Sequence, residues 1–195
     1  SDPNYKPGVK LDRNDAAAYN TTYLSGQLTP ALAKMSANRI EEHGFSGVGI
    51  LVQPFTYQYL RSETLQNFDG IAIDNGMFTK AGRENFSWPA YEKMVKVALA
   101  QEKREVLRKL HFFTVPDVPF DWEATKKKFD SHAKEVGRLR NHGAPVAICI
   151  QNGATVDNVP FSDVDVIFIG GNDEYKVGKE AQAIVKKAHN MGKQV

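Results

Sequence analysis

The 195-residue sequence has a single cysteine, Cys149, set in an apolar run. One thiol excludes an internal disulfide and any cysteine-rich zinc site. No apolar run approaches the roughly 20 residues of a membrane-spanning helix, and no secretory apolar core lies near the start. A cytoplasmic protein with no membrane partner is therefore expected. A dominant charge is also missing: 25 Lys and Arg stand against 23 Asp and Glu, for a net charge of +2. Nothing resembles a basic arm or an acidic tail, although a local basic patch is enough to bind nucleic acid. No Gly-x-Gly-x-x-Gly follows the first strand, and there is no P-loop lysine motif. The five histidines are scattered, mostly at helix ends or on helix faces, and none is assigned to a metal. No cofactor is called for. Apolar content of 42% and charged content of 25% are those of a soluble globular protein. The length suits one domain with a substantial core.

The most informative stretch is 68–78, Phe-Asp-Gly-Ile-Ala-Ile-Asp-Asn-Gly-Met-Phe. Gly70 to Ile73 is a short apolar run with two β-branched residues, which reads as a buried strand. It stops at Asp74-Asn75-Gly76, a turn sequence whose glycine tolerates positive φ. A carboxylate thus stands where a buried strand ends. It is either a turn cap or a group facing a ligand.

Residues 1–27 are polar, with Pro3, Pro7, Gly8 and Gly26, and read as an extended or irregular arm; residues 28–195 form the main domain. Thr29 and Pro30 open a helix with Leu32, Ala33, Met35 and Ile40 inward, ending at His43-Gly44. Strands are expected over 48–52, 70–73, 112–115, 146–150 and 164–169. A short helix is expected over 57–65 and a loop over 79–87. Ser87-Trp88-Pro89 opens a helix with Tyr91, Met94, Val95 and Leu99 on one face. The charged stretch 102–109 reads as a solvated helical face. Asp121 caps a long helix with Trp122, Phe129, Ala133, Val136 and Leu139 inward, ending at His142-Gly143. Lys126, Lys127 and Lys128 read as its outer face. Ala181, Ile184, Val185 and Ala188 define a last helix ending at Gly192, and Gln194-Val195 begins another strand.

Two regularities follow. Helices end in glycine just before strands, at Gly44, Gly143 and Gly192. Strands end in polar residues, at Gln53, Asp74, Asp117, Gln151 and Asn172. Alternating strands and helices with short connections imply a parallel sheet, and continuous apolar strands imply burial on both faces. The polar strand ends then converge on one rim, where ligands bind in such folds. Rim residues spread over five strands suit a TIM-type (β/α) barrel better than a single crevice. A full barrel usually needs about 250 residues, so an incomplete barrel is expected.

Asp74, Asp117 and Gln151 make an acceptor-rich set with one amide donor. Backbone N–H groups at Gly170 and Gly171 can approach a ligand closely, and Phe78 and Phe120 can stack on a flat ring. A guanine-like base needs such acceptors for its N1–H and amine and a donor for its carbonyl; other planar polar ligands or a sugar fit too. Structural alternatives stand beside each: Asp117 as a turn residue in Pro-Asp-Val-Pro, Gln151 as a loop tie, Asp173 and Lys176 as the cap and start of a helix.

The motifs Asp74-Asn75-Gly76-Met77-Phe78, Val115-Pro116-Asp117, Ile150-Gln151-Asn152-Gly153 and Ile169-Gly170-Gly171 resemble, in order and rim position, those of the tRNA-guanine transglycosylase superfamily. The branch that puts 7-deazaguanines into DNA, in phages and bacteria, is the most similar. The resemblance covers about residues 46–195. It implies that Asp74 is the general base near the glycosidic bond. It also implies that Phe78 stacks on the base, Asp117 and Gln151 read its polar edge, and Gly170 and Gly171 meet its carbonyl. The implied activity is exchange of guanine for a 7-deazaguanine in DNA or tRNA through a covalent glycosyl-enzyme. An N-glycosidase or nucleoside hydrolase on the same rim, and an inactive base- or nucleic-acid-binding barrel, are the alternatives. The sequence departs from the family in three ways. The family's nucleophilic aspartate lies on a strand later than Val195, a segment with Lys176 replaces the acidic residue after the glycine pair, and the zinc-binding cysteine cluster is absent.

Overall fold

The computed structural model describes residues 21–25, 29–53, 62–99 and 109–195. Six strands form one all-parallel sheet in sequence order, β1 (Thr22–Leu24), β2 (Val48–Val52), β3 (Gly70–Ile73), β4 (Leu110–Thr114), β5 (Val146–Ile150) and β6 (Val166–Ile169). The sheet curls into a half-barrel. The chain continues past β6 to a parallel bridge between Gln194 and Val166. The helices are α1 (Pro30–His43), α2 (Ser62–Leu65), α3 (Lys80–Asn85), α4 (Trp88–Leu99), α5 (Trp122–Ser131), α6 (Ala133–Asn141), α7 (Asp173–Lys176) and α8 (Lys179–Asn190). β1 lies within the stretch expected to be an extended or irregular arm, of which residues 1–20 and 26–27 fall outside the described residues, as do most of the expected 57–65 helix and residues 102–108 of the charged stretch.

Local chemistry explains most boundaries. Thr29 accepts a hydrogen bond from the Leu32 amide at the start of α1, with Pro30 next, and Gly44 closes it at φ 63°. Inside α1 the buried residues are Ala33, Ala37 and Ile40, while Leu32 and Met35 are exposed. Ala33 and Ile40 thus face inward as expected, whereas Leu32 and Met35 do not, and Ala37 joins the inner stripe in their place. The expected loop over 79–87 contains α3. Thr79 caps it through the Gly82 amide, and none of its residues is buried, so it carries no apolar periodicity to read. The expected single helix over 121–141 is broken at His132. The Ser131 hydroxyl donates to the Lys128 carbonyl, and the His132 ring and amide bond the Lys128 and Phe129 carbonyls. Those side-chain bonds replace the helical ladder, and Ala133 ends up exposed. β4 begins two residues before the expected strand, and β6 is preceded by a 3₁₀ turn, Phe161–Asp163.

The strands alternate between two apolar layers. Ile50, Val52, Ile71, Ile73, Phe113, Val115, Ile148, Ile150 and Ile167 pack under the helices in the main core. Ala72, Phe112, Ala147 and Val166, with Tyr23 and Leu51, form a second cluster on the other face. The register of β3 on β4 shifts between Ile71 and Ala72, which leaves His111 as an extra residue. His111 hydrogen-bonds Tyr23 of β1, and their rings meet edge to face at 5.9 Å. This pair bridges across β2 and β3 because both strands present glycine beneath it. A Cβ on Gly49 would sit 2.7 Å from the Tyr23 ring, and one on Gly70 would overlap the His111 ring.

Gly70→Ala is therefore expected to destabilise the fold by about 1–3 kcal/mol through overpacking. In a His111→Ala background the same change should cost far less. Urea unfolding of the double-mutant cycle measures this; equal costs in the two backgrounds would reject the steric account.

Candidate active site

The ends of β3, β4 and β5 meet around two carboxylates. β3 leads directly into Asp74, which stays partly exposed, and Asn75, which is buried. β4 leads through Val115 and Pro116 to Asp117, only 9% exposed. β5 leads into Gln151, only 3% exposed. Because side chains alternate along a strand, Cys149 and Gln151 share the face opposite Ile148 and Ile150.

Asp117 is the hub. Its Oδ1 accepts from the Asn75 side-chain amide at 3.1 Å, and its Oδ2 accepts from Gln151 Nε2 at 2.7 Å. Asn75 Nδ2 also donates to the Val115 carbonyl at 2.8 Å, while its Oδ1 accepts from the Met77 amide at 2.8 Å. Gln151 Nε2 further reaches Cys149 Sγ at 3.2 Å, and Gln151 Oε1 accepts from the amides of Phe120 at 2.9 Å and Gly171 at 2.8 Å. One carboxamide thus ties together the β4, β5 and β6 loops. Phe120 is held at φ 67°, a region non-glycine residues rarely occupy, with its ring exposed to solvent. Gly170 is required beneath: a Cβ there would stand 2.6 Å from Cys149 Sγ and 2.7 Å from Gln151 Nε2.

Asp74 is less firmly held. Its Oδ2 accepts from the Gly76 amide at 3.2 Å, and its Oδ1 lies 3.5 Å from the Thr114 hydroxyl. The Thr114 oxygen itself accepts from the Asn75 amide at 2.8 Å. Beneath them, the fully buried Tyr91 of α4 donates to the Thr114 carbonyl at 2.5 Å.

Burial raises both carboxyl pKa values above the ordinary range. For Asp74 the Asp117 charge adds to the rise, opposed by the Gly76 and Asn75 amides and the Thr114 hydroxyl. For Asp117 the Asn75, Cys149 and Gln151 side chains oppose it. Burial, reinforced by Asp117, pushes the Cys149 thiol well up, so it is no nucleophile at neutral pH.

The structure thus brings Asp74, Asp117, Gln151, Gly170 and Gly171 to one rim. Phe78 stands on the same β3 loop but is 74% exposed. Gly170 and Gly171 do not offer free amides: the first donates to the Ile150 carbonyl at 2.9 Å and the second to Gln151. Asn172 and Asp173 serve α7, where Asn172 accepts from the Tyr175 amide, and Lys176 pairs with Asp173. Lys126 pairs with Asp130 on the exposed side of α5. Among the described residues no group of three or more His, Cys, Asp and Glu could hold a metal ion. An open hollow of about 960 Å³ is lined by Phe120, Trp122, Asn152, Gly153 and polar residues of α5, and Asp74, Asp117 and Gln151 do not line it.

Sequence reasoning took Asn75 as turn punctuation and Thr114 as strand interior. Strand alternation carried a signal for Thr114: with Phe113 and Val115 facing the main core, it must face the carboxylates. Nothing local revealed that Asn75 would cross to β4. Gly82 was also missed. It lies in α3, which was expected to be a loop, and a Cβ there would collide with the Gly76 carbonyl, so α3 presses directly on the Asp74 turn.

Raised folded-state carboxyl pKa values have a defined sign in stability. The folded protein binds protons that the unfolded chain has released, so stability falls as pH rises through the raised values. Asp74→Asn can keep the bond from Gly76 and removes the buried charge. It should raise the melting temperature at pH 7, and the gain should vanish below about pH 4, where the unfolded carboxyl also holds its proton. Thermal unfolding at the two pH values measures this; a loss at pH 7 would contradict the assigned desolvation.

Compared with protein-family models, curated proteins and solved structures, the chain matches none.

Proposed function

We propose that the half-barrel is part of a TIM-type barrel acting in the cytoplasm as a transglycosylase, exchanging guanine for a 7-deazaguanine base in DNA or tRNA. The observation that carries this reading is the 2.7 Å bond from Gln151 Nε2 to Asp117 Oδ2. It is a buried donor and acceptor paired with each other at a rim. A ligand edge that carries adjacent donors and a carbonyl can insert between them. The N1–H and amine of guanine take Asp117, and the released Gln151 amide donates to the carbonyl. An adenine edge presents an acceptor where guanine has its N1–H, and it would leave Asp117 facing a lone pair. Unpaired buried groups are costly, so the exchange of partners is selective.

Asp74 fits the proton-handling role. It is partly exposed, its acidity is weakened by burial, and it stands one residue from Asn75, which holds Asp117. Exchange of a base requires a carboxylate to attack the anomeric carbon, giving a covalent glycosyl-enzyme, and a general base to deprotonate the incoming base. The resemblance gives Asp74 the second role and puts the attacking aspartate on a later strand. The Gln194–Val166 bridge occupies the next position along the sheet after β6. The target nucleotide must leave its stack to reach this rim, and Phe78 and Phe120, on the loops after β3 and β4, leave their rings exposed.

Calorimetric titration should show guanine or 7-deazaguanine binding at least tenfold more tightly than adenine. Asp117→Ala should weaken that binding by about 1–3 kcal/mol. Asp74→Asn should abolish incorporation of labelled guanine into DNA or tRNA while leaving base binding within about tenfold, or ~1.4 kcal/mol. Equal affinity for adenine would overturn the ligand assignment. Base binding without exchange on either nucleic acid would leave a binding barrel in place of an enzyme.

A further inference from the structure

Asn75 touches the support of both carboxylates, and it does so through two different groups. Its side-chain amide donates to Asp117 Oδ1 at 3.1 Å and to the Val115 carbonyl at 2.8 Å. Its backbone amide donates to the Thr114 hydroxyl oxygen at 2.8 Å. A hydroxyl has one hydrogen to give. With its oxygen occupied from the Asn75 side, the Thr114 hydrogen is turned toward Asp74 Oδ1, 3.5 Å away. The two carboxylates therefore receive unequal support. Asp117 has side-chain amides at 2.7 Å and 3.1 Å on separate oxygens. Asp74 has the Gly76 backbone amide at 3.2 Å, the weaker pull of the Asn75 backbone amide, and the long Thr114 contact.

We propose that Asn75 is a positioning residue that divides the work between the two carboxylates: its side-chain amide keeps Asp117 ionised as the fixed acceptor, and its backbone amide aims the Thr114 hydroxyl so that Asp74 is the group that gains and loses a proton. The inference deepens the base-exchange reading and rests on it for its purpose, because exchange needs one carboxylate that stays an acceptor and one that titrates. The arrangement itself stands without that reading. The groups facing the pair are Tyr91 from α4, Thr114 from β4, and Cys149 and Gln151 from β5. Tyr91 and Cys149 are both held neutral by burial at ordinary pH, so neither supplies a competing charge. Arg83 of α3 donates through Nη1 to the Met77 and Phe78 carbonyls.

The test follows the Asp74 and Asp117 carboxyl ¹³C resonances of the full chain through an acid titration. The two sites are coupled, so each resonance is read as the occupancy of its own site. In the unaltered protein, Asp74 should take up the larger share of the first proton bound. Asn75→Ala should move the Asp117 midpoint up by about one pH unit, a tenfold gain in proton affinity, with a smaller change at Asp74. Thr114→Val should raise the Asp74 midpoint and leave Asp117 in place, and Thr114→Ser should restore it. If Asn75→Ala does not fold, Asn75→Ser reads the Asp117 midpoint, and the two Thr114 variants read that of Asp74. Asp117 taking the first proton, or midpoints that do not respond to these changes, would overturn the proposal. Loss of guanine binding or of base exchange with the midpoints behaving as described would reject the function and leave the division of labour intact.

Discussion

The constraint on which the rest of the site depends is a buried carboxylate, Asp117, that must be satisfied. An ionised group this deep costs several kcal/mol unless hydrogen bonds replace its water. Asn75 and Gln151 provide them from either side. The consequences spread outward. Gln151, committed to Asp117 by its amide, turns its oxygen toward the Phe120 and Gly171 amides, and so fixes two more loops. Phe120 is driven to a positive φ, Gly170 must lack a side chain, and Asn75 must leave its own turn to reach β4. The loops after three neighbouring strands are thereby ordered by one charge.

The parallel sheet makes that constraint possible. Parallel pairing sends all strand ends the same way, so residues distant in sequence meet without any local signal. Bulky β-branched and aromatic side chains fill the helix-covered layer, whereas the other layer alternates aromatics with alanine and glycine. The crossing of Tyr23 to His111 over Gly49 and Gly70 shows how small residues on the middle strands admit large ones from the flanking strands. Exposed charge pairs play a lesser part. Glu92 on α4 binds Arg138 and Lys96, which holds its carboxyl pKa down to about 2. The two cations are about half exposed, so the cluster adds little to stability at neutral pH. Its sign is opposite to that of the rim pair: its contribution is lost only as pH falls toward 2.

This opposition separates scaffold from site. Scaffold charges are arranged so that ionisation favours the folded state. The rim carboxylates are arranged so that ionisation opposes it, with two like charges brought close together and largely removed from water. Such an arrangement is retained where a function uses the strain. The same logic applies to Phe120, whose backbone is strained at the edge of the hollow while its ring is left in solvent.

The alternation of strands and helices and several boundaries are legible along the chain, because these rest on local chemistry. Strands 48–52, 70–73 and 146–150 are continuous apolar runs closed by polar residues. Thr29, Asp121, Gly44 and Gly143 stop or start helices through their own side chains or backbone freedom. The positions of Asp74, Asp117 and Gln151 at strand ends, hence on one rim, are legible too. Other features were illegible for physical reasons. α3 buries nothing and has no periodicity, and β1 is only three residues long and exists through pairing with β2. The kink at His132 depends on side chains that capture carbonyls. What the rim residues do to one another depends on the assembled sheet. The Asn75 bond to Asp117 spans 42 positions and the Gln151 bond 34. The occupation of the Gly170 and Gly171 amides could not be read either, since it turns on which carbonyl or carboxamide the folding sheet brings within reach. Caps, runs and turns are written along the chain, but the pairing of a buried charge with its donors is settled only when separate strands arrive side by side.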